Sequence, residues 1–277
     1  MTSTTERIEA ARRLLEQRLD EQVPLEELAA AAHYSMFHFH RLFRSVVGET
    51  VREHQRRLRL ERAAHRLVHG DADILSIAID AGYDSHEAFT RAFRRRFDVA
   101  PSAFRDERRE VRARKLEVMQ MGAIRIERRQ PQRVAYVRHV GPYSGVGDAW
   151  ATLMKWGWMK MLGGMPETFG LCFDDPDVTP EEKTRYEACM VVNDKAKAKG
   201  AVLVKEIPGG VYAVTVHEGP FEAIGQTYAA LCGAVASGPV EGRSWTLGDP
   251  PSLEKYLTDP RKTDPANLRT EVWMPVQ

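Results

Sequence analysis

Hydrophobic and polar residues follow a helical period through the first part of the chain, and one arrangement of them occurs twice. The segment HYSMFHFHRLFRSVVGET begins at His33, and GYDSHEAFTRAFRRRFDVAP begins at Gly82. Corresponding positions hold the same Ser, Phe and Arg residues. Each segment follows a short apolar helix, LEELAAAA or ILSIAIDA, and places its Ser where it can cap the next helix. This order predicts two helix-turn-helix units.

The second helix of each unit has one apolar face and one polar, basic face. A wheel of roughly 100° per residue predicts that one set of side chains is buried: Met36, Phe39, Leu42, Phe43 and Val46 in the first copy, and Phe89, Ala92, Phe93 and Phe97 in the second. The opposite faces are predicted to contact DNA: Phe37, His40, Arg41 and Arg44, with His38 and Ser45 at the margins, and Glu87, Thr90, Arg91 and Arg94, with His86 at the helix start. Arg offers a fork of donors to guanine or phosphate, and His offers ring donors or acceptors to base edges. The alternative is that both are ordinary solvated faces.

Between the two units, the segment from Glu53 to His69 carries an apolar stripe with helical spacing, which predicts a rigid connecting helix. Two recognition helices on such a connector can enter successive major grooves roughly 34 Å apart, so that one chain reads an asymmetric site. Four arginines of this segment are candidate phosphate contacts or else lie on a solvated face: Arg52, Arg56, Arg57 and Arg59.

The segments LAAAAHYSMFHFHRLFRSVVG and ILSIAIDAGYDSHEAFTRAFRRRFDVAPSAFR resemble the DNA-binding domain of the AraC/XylS family of transcription regulators. The resemblance covers about residues 5 to 110 and implies two helix-turn-helix units joined by a long helix. Double-stranded DNA is the implied partner, and RNA polymerase is a further candidate. Two positions depart from the family pattern, because His33 and Asp98 stand where Gly is frequent. Asp tolerates turn geometry better than most residues.

The length and composition of the chain add further bounds. A chain of 277 residues exceeds what these helices need, so a second domain is expected after about residue 115. The net charge of +1 is too mild to indicate nucleic-acid binding, and that prediction rests on the repeated pattern. No stretch has the pattern of a signal peptide or of a membrane span of roughly 18 residues, so we expect a cytoplasmic, nucleoid-associated protein that does not contact a membrane. Cys172, Cys189 and Cys232 lack metal-site or disulfide spacing, and no metal or cofactor is predicted.

The second part of the chain has its own repeat, in which RVAYVRHVGPYSGVGDAW begins at Arg133 and VYAVTVHEGPFEAIGQTY begins at Val211. Each copy has the pattern of a strand, a Gly-Pro turn and an amphipathic helix. His139 and His217 precede the two turns, and we expect them to bond the turn backbone. Further strands are predicted at Ala123 to Arg128, Phe169 to Phe173, Arg185 to Val192, Ala201 to Ile207 and Arg269 to Pro275. The pattern predicts an α+β domain with pseudo-two-fold symmetry.

Four segments in order, FGLCFDDP, RYEACMVV, HEGPFEAIGQTY and LRTEVWMPV, resemble the GyrI-like effector-binding domain over about residues 124 to 277. In that family two halves enclose a groove for small amphipathic molecules, often aromatic cations. All five Trp, including Trp158, lie in this part of the chain, which suits flat apolar ligands. The predicted ligand site is Trp150, Phe173, Tyr186, Trp245, Glu271 and Trp273, with Glu271 as the carboxylate that selects cations. The alternative is a solvated Glu271 and a Trp273 that covers the edge of the core.

The sequence thus predicts a multidomain protein: an all-α tandem helix-turn-helix domain at residues 1–113, a connector at 114–123 and an α+β pseudo-two-fold GyrI-like domain at 124–277. The predicted function is a ligand-responsive, sequence-specific transcription regulator, an activator, whose effector is a small amphipathic molecule. One alternative is a GyrI-like hydrolase of electrophilic toxins, in which Glu271 is the general base. Another is a regulator whose second domain binds a partner protein. No Ser-His-Asp order or phosphate-binding glycine loop supports another catalytic class.

Overall fold

The computed structural model describes residues 4–70, 72–116, 122–157, 166–249, 251–260 and 262–277. The chain divides into two compact units, Met1–Arg105 and Asp106–Gln277. Part of the predicted connector 114–123 lies outside the described residues, and the domain boundaries given above stay predictions.

The first unit is helical, and its helices follow the predicted repeat. They are α1 (Thr4–Gln17), α2 (Leu25–Ala31), α3 (Met36–Val47), α4 (Val51–His69), α5 (Ile74–Asp80), α6 (His86–Phe97) and the start of α7 (Pro101–Leu116). The pairs α2–α3 and α5–α6 are the two helix-turn-helix units, and α4 is the connector between them. A cluster that includes Ile8, Leu28 and Phe43 packs α1 to α3 together. In the second helix-turn-helix unit the Phe93 ring contacts the rings of Phe97 and Phe104.

The two departures from the family pattern occupy left-handed backbone positions. His33 has a φ of 56° where the second copy has Gly82 at 80°, and Asp98 has a φ of 63° where the first copy has Gly48 at 80°. A left-handed conformation costs a residue with a Cβ about 1–2 kcal/mol, whereas glycine adopts it without that penalty. The backbone of the repeat is therefore kept in both copies, while the residue that carries the strain differs.

The second unit is built on one antiparallel sheet of eight strands. The strands are β1 (Arg125–Arg129), β2 (Gln132–Val140), β3 (Thr168–Cys172), β4 (Arg185–Val191), β5 (Leu203–Ile207), β6 (Gly210–Glu218), β7 (Ser252–Tyr256) and β8 (Arg269–Val276), in the order β1-β6-β8-β7-β3-β4-β2-β5. All five of the further strands predicted from the sequence are present, with ends shifted by up to two residues. Strand β7 was not predicted, because the segment after Ser237 matches the GyrI-like family pattern only at its end.

The strand order has a pseudo-two-fold relation between two halves. Strands β2, β3 and β4 of the first half correspond to β6, β7 and β8 of the second, and β3 pairs with β7 where the halves meet. The strand that precedes each half pairs with the other half, since β1 lies beside β6 and β5 lies beside β2. The predicted α+β fold with pseudo-two-fold symmetry is confirmed, and the exchange of edge strands ties its halves together.

Two helices cover part of one face of this sheet. Helix α8 (Gly147–Gly157) packs against β2 and β4, and α9 (Ile224–Ser237) packs against β6 and β8. The central strands β3 and β7 therefore lie between the two helices. We call this side of the sheet the helix face and the other side the open face. No helix among the described residues is long and apolar enough to cross a membrane.

Candidate DNA interface and candidate ligand site

The first candidate reading helix, α3, exposes its polar face as the sequence predicts. Phe37, His38, His40, Arg41 and Arg44 are exposed, whereas Phe39 and Phe43 are completely buried. The apolar stripe is narrower than predicted: Leu42 is half-buried, and Met36 and Val46 are exposed by 46% and 38%. Phe37 is 68% exposed, and the Arg41 guanidinium lies 5.7 Å from the centre of its ring.

The first turn of α3 departs from the predicted cap. Ser35 occupies the N-cap position but its side chain bonds no backbone N–H. Its hydroxyl instead lies 3.2 Å from Nδ1 of His38, so this ring nitrogen already has a partner within the helix. The Nε2 edge of His38 is the edge left to face a base.

The second candidate reading helix, α6, has the predicted cap and an exposed basic face. The Ser85 hydroxyl accepts a hydrogen bond from the Ala88 N–H at 3.1 Å. His86, Glu87, Arg91 and Arg94 are exposed, and hydrogen bonds at the N-terminus of the helix lower the pKa of Glu87. Thr90 differs from the prediction, because it is half-buried and its hydroxyl oxygen is inaccessible to solvent. That hydroxyl is not placed to contact a base edge.

The four arginines of the connector divide into two kinds. Arg52 and Arg56 are exposed and remain candidate phosphate contacts. Arg57 binds the carboxylates of Glu49 and Glu61. The Arg59 side chain donates to the carbonyls of Leu19 and Glu21, at 2.7 and 3.1 Å. The latter two arginines therefore stabilise the helical unit. The Arg57–Glu61 pair has i,i+4 spacing within α4, whereas the contacts with Glu49 and with the carbonyls of Leu19 and Glu21 leave the helix that a wheel describes.

A buried carboxylate lies at the centre of the sheet domain, on the helix face between α8 and α9. Glu254 of β7 pairs with Gly170 of β3 on one side and with Val272 of β8 on the other. Paired residues of neighbouring strands point to the same face, and Val272 packs in the cluster beneath α9. Glu254 therefore points to the helix face, and only 9% of the residue is exposed.

A chain of hydrogen bonds runs from the first half of the domain to Glu254. The Trp150 indole donates to the Tyr186 hydroxyl at 3.0 Å, Tyr186 and Tyr256 are joined at 2.7 Å, and Tyr256 donates to Glu254 Oε2 at 3.0 Å. Because the single hydroxyl proton of Tyr256 goes to the carboxylate, Tyr186 is the donor to Tyr256. Tyr228 of α9 donates to Glu254 Oε1 at 3.2 Å. Every donor in this set points toward the carboxylate.

Aromatic rings surround this hydrogen-bonded group. The Tyr256 ring has edge contacts with Trp150 and Phe221, each with 5.6 Å between ring centres, and Tyr143 contacts Tyr186 at 6.1 Å. Trp150, Tyr256 and Phe221 are half-buried, so each keeps accessible ring surface. We call Glu254 with Trp150, Tyr186, Tyr228, Tyr256 and Phe221 the Glu254 cluster.

Gly170 provides the space for this arrangement. A Cβ atom at position 170 would lie 2.1 Å from the Tyr186 hydroxyl and 2.5 Å from its Cζ. The absent side chain thus lets the Tyr186 ring cross β3 and reach Tyr256. The two halves are alike in strand order, but Gly170 in one and Glu254 in the other make the site itself asymmetric.

Burial determines the electrostatics of the site. Burial raises the pKa of Glu254, and the hydrogen bonds from Tyr256, Cys172 and Tyr228 oppose that shift only in part. Burial also raises the pKa values of the Cys172 thiol and the Tyr256 hydroxyl well above their ordinary values. No ion pair within the described residues involves Glu254, whose hydrogen-bond partners are uncharged.

The structure places Glu271, the carboxylate predicted for the site, on the open face. Glu271 precedes Val272 on β8 and therefore points away from Glu254. Its carboxylate binds Arg125 at 2.6 Å and accepts from the Trp273 indole at 3.1 Å. Trp273 belongs to an open-face cluster with Leu253 and is 8% exposed. Glu271 and Trp273 thus lie on the face of the sheet opposite Glu254, and their membership of a ligand site stays a prediction.

Two other predicted wall residues also lie elsewhere. Phe173 packs on the open face, where cationic groups of Arg138, Arg185 and Lys205 lie 5.4–5.9 Å from its ring centre. Trp245 packs against the cluster beneath α9, donates to the Val240 carbonyl and is covered by Arg243. Trp150 and Tyr186 are the two members of the predicted set that join Glu254. Trp158 lies outside the described residues.

One signal in the sequence pointed to the missed residues. Tyr228 corresponds to Trp150 in the internal repeat. A strand that lies next to Trp150 in the first half should therefore have a counterpart strand next to Tyr228 in the second half. That counterpart is SLEKY, whose alternation places Ser252, Glu254 and Tyr256 on one face. The preceding Gly and Pro residues obscured this strand.

The prediction for the two histidines at the Gly-Pro turns is confirmed. His139 Nε2 lies 2.9 Å from the Pro142 carbonyl, and His217 Nε2 lies 3.1 Å from the Pro220 carbonyl. A carbonyl only accepts, so each Nε2 is the donor. These rings fix the turns that lead into α8 and α9, and thereby the position of Trp150 and Tyr228. No group of three or more metal-ligating side chains occurs in the described part of the chain.

The tandem helix-turn-helix unit and the domain with the buried carboxylate define a DNA-binding transcription regulator with a small-molecule-binding domain. Residues 122–277 match the GyrI-like small molecule binding domain, and residues 28–107 match a helix-turn-helix domain. The first match extends over more than half of the chain, and the chain belongs to the GyrI-like family.

Three curated relatives are similar to part of this chain. The HTH-type transcriptional regulator YbfP of Bacillus subtilis is 38% identical over 33% of this chain, which spans 31% of YbfP. The regulatory protein SoxS of Salmonella typhimurium is 36% identical over 33% of this chain and 85% of its own length. The SPbeta prophage-derived protein YosT of Bacillus subtilis is 29% identical over 56% of this chain and 99% of YosT. This chain thus spans about a third of YbfP but nearly all of YosT.

Proposed function

We propose that this protein is a sequence-specific transcription regulator whose DNA binding responds to a small amphipathic cation held at the Glu254 cluster. The observation that carries the proposal is a carboxylate that is 9% exposed, is bonded by uncharged donors and has aromatic rings around it. A bound cation gains binding free energy from its attraction to the carboxylate charge and to the ring faces, and its apolar part gains binding free energy from burial.

Recognition of DNA is assigned to the exposed faces of α3 and α6. In this proposal Arg41, Arg44, Arg91 and Arg94 supply base or phosphate contacts, and His38, His40 and His86 contribute ring donors or acceptors. Binding of the cation changes DNA affinity or the recruitment of RNA polymerase, and by linkage specific DNA changes cation affinity by the same factor. Regulation as an activator, and association with the nucleoid, belong to this proposal.

The test is a two-part titration of the whole chain. First, a panel of N-alkylquinolinium ions and neutral alkylnaphthalenes is titrated by calorimetry, and each ligand is recovered for mass spectrometry. Second, duplexes selected from a random DNA library are bound with and without the tightest cation. Saturable cation binding that shifts the affinity for selected DNA supports the proposal. A complete absence of cation binding, or no effect on DNA, would contradict it.

The same recovery step addresses a hydrolase as second candidate. A carboxyl group with a raised pKa beside tyrosine hydroxyls suits general acid–base chemistry on an electrophilic ligand. Electrophiles such as strained-ring compounds are therefore included in the panel. A hydrolysed product that Glu254→Gln abolishes would identify an enzyme carried on a DNA-binding unit, whereas intact ligand identifies a sensor.

A further inference from the structure

A chain of ion-paired and hydrogen-bonded side chains crosses the helical unit along α4. His54 Nδ1 lies 2.7 Å from Glu49 Oε1, and Arg57 Nη2 lies 2.9 Å from the same oxygen. Arg57 Nη1 then lies 2.8 Å from Glu61 Oε2, and Arg96 Nη2 lies 2.8 Å from Glu61 Oε1. The side chains of Glu49, Arg57 and Glu61 are only 12%, 10% and 4% exposed. We call these five residues the α4 charge chain.

The two ends of the α4 charge chain lie beside the two candidate reading helices. Glu49 follows Gly48, the C-cap of α3, and Thr50 next to it caps α4. Arg96 belongs to the last turn of α6. The path from Glu49 through Arg57 and Glu61 to Arg96 therefore joins the C-terminal ends of α3 and α6.

Apolar packing by itself holds the reading helices less specifically. The cluster that buries Phe39 and Phe43 consists of residues from α1 to α3 and their neighbours, whereas the Phe93 ring contacts Phe97 and Phe104. Apolar contacts tolerate small slides and rotations, but Glu61 uses each of its two oxygens for a different arginine. Such bonds are directional, and a slide of α6 past α4 breaks the Arg96–Glu61 pair and takes one of the two arginines from a carboxylate that is only 4% exposed.

A role in stability alone is a weaker explanation of these charges. Buried ion pairs are often neutral or unfavourable for stability when compared with apolar residues of similar volume, because desolvation offsets their attraction. Their best-attested use is to fix register between packed elements. The α4 charge chain lies between two helices whose separation decides which DNA sequence is read, and this location fits that use.

We propose that the α4 charge chain is a positioning device that fixes the separation and rotation of α3 relative to α6, and thereby the spacing between the two DNA segments that they read. Glu61 and Arg96 are its positioning residues. This proposal rests on the proposed function in one respect, namely that both helices read DNA. It adds that spacing selectivity depends on side chains that touch no base.

The test measures spacing selectivity with the full chain and duplex DNA. A duplex is selected from a random library, the two contacted segments are located by footprinting, and one base pair is inserted or removed between them. One base pair shifts a segment by about 3.4 Å and about 34°. The spacing factor is the Kd for the altered duplex divided by the Kd for the selected one. We expect a wild-type factor of about 10 to 100, since one helix loses base contacts.

Two variants interrupt the α4 charge chain, and two serve as controls. Arg96→Met removes the charge at the outer end, where the side chain is 25% exposed, and Glu61→Gln weakens both pairs at the centre. Arg96→Lys keeps the charge and should retain most of the spacing factor. Arg18→Met removes one charge from an exposed pair with Glu21 and Glu27 and should leave the factor unchanged. Circular dichroism and urea unfolding verify that each variant is folded.

We expect Arg96→Met and Glu61→Gln to lower the spacing factor at least threefold. If Glu61→Gln does not fold, Arg96→Met decides the question with Arg96→Lys as its rescue. A large wild-type factor that Arg96→Met leaves within twofold would overturn the positioning role, even if the variant unfolds more easily. A wild-type factor near one would overturn the proposal together with the reading of DNA by both helices.

Discussion

Replacement of Glu254 by Gln should separate ligand affinity from stability. The substitution keeps the shape of the side chain but removes the charge at the centre of the Glu254 cluster. At an effective dielectric constant of about 20, a cation about 4 Å from a carboxylate gains about 4 kcal/mol, part of which offsets desolvation of the ligand. We expect a net loss of about 2–3 kcal/mol in cation binding, which is roughly 30- to 150-fold in Kd. The Kd of a neutral ligand of the same shape should change by less than about threefold.

The stability of the unliganded protein should move in the opposite direction. Burial raises the pKa of Glu254, so the folded state pays to keep this carboxylate charged at neutral pH. The amide avoids that cost, although one tyrosine hydroxyl must reverse to accept from its NH₂ group. We expect the free energy of unfolding to be unchanged or higher by about 1 kcal/mol. Weaker cation binding with undiminished stability is a result that misfolding cannot produce.

The assay compares an N-alkylquinolinium ion with the alkylnaphthalene in which carbon replaces the charged nitrogen, by calorimetry, together with urea unfolding. Glu271→Gln is the matched control. Glu271 lies on the open face and binds Arg125, so this variant should keep cation affinity and lose stability. Binding of the permanent cation should also weaken as the pH falls through the raised pKa of Glu254, beginning above the ordinary value of about 4.3. Equal losses for cation and neutral isostere in Glu254→Gln would refute the charge-recognition argument.

Three further predictions concern the helical unit. Arg41→Ala or Arg91→Ala should weaken binding to selected DNA by about 1–3 kcal/mol in a filter or anisotropy assay, and an equal loss on random DNA would reduce that residue to a phosphate contact. Gly82→Ala should lower the free energy of unfolding in urea by about 1–2 kcal/mol, because φ is +80° at this position and the new Cβ would lie 2.6 Å from Arg59 Nη1. His33→Gly should not lower that free energy. If His33→Gly destabilised the protein and Gly82→Ala did not, the strain assigned to these turns would be contradicted. Burial acts to raise the pKa of Glu49, but hydrogen bonds from His54 and Arg57 outweigh it and hold the pKa well below its ordinary range. The stabilisation from Glu49 is therefore present above about pH 4.3 and is lost as the pH falls. The free energy of unfolding should drop more steeply below about pH 5 in the wild type than in Glu49→Gln. Parallel curves of unfolding free energy against pH would refute this prediction.

The prediction from the sequence centres the ligand site on Glu271, whereas the proposed function centres it on Glu254 on the other face of the sheet. Alternation along β8 correctly put Glu271 and Trp273 on one side of the strand. Which side carries the ligand site depends on where α8 and α9 pack, and a strand pattern contains no information on that choice. The charged groups that bind these residues, Arg125 and Arg129, come from β1, a strand exchanged from the other half of the sequence.

The helical unit shows a similar division between local and distant determinants. The repeat located both reading helices, their exposed polar faces and the connector, because periodicity and capping are properties of neighbouring residues. It did not distinguish the exposed Arg52 and Arg56 from Arg57 and Arg59. Helical periodicity does not show that Arg57 binds Glu49 as well as Glu61, or that Arg59 reaches the Leu19 carbonyl of another helical segment. It also missed that Ser35 bonds the His38 side chain in place of the helix backbone.

The sequence by itself determined the two families, the two internal repeats and the elements that they generate, since these depend on short-range patterns. Tertiary structure decided which charged residues act together. Trp150 and Tyr186 of the first half are linked to Glu254 because antiparallel pairing places β7 beside β3 at the junction of the two halves. That pairing joins residues more than eighty positions apart, such as Gly170 and Glu254, and only the folded sheet brings them together.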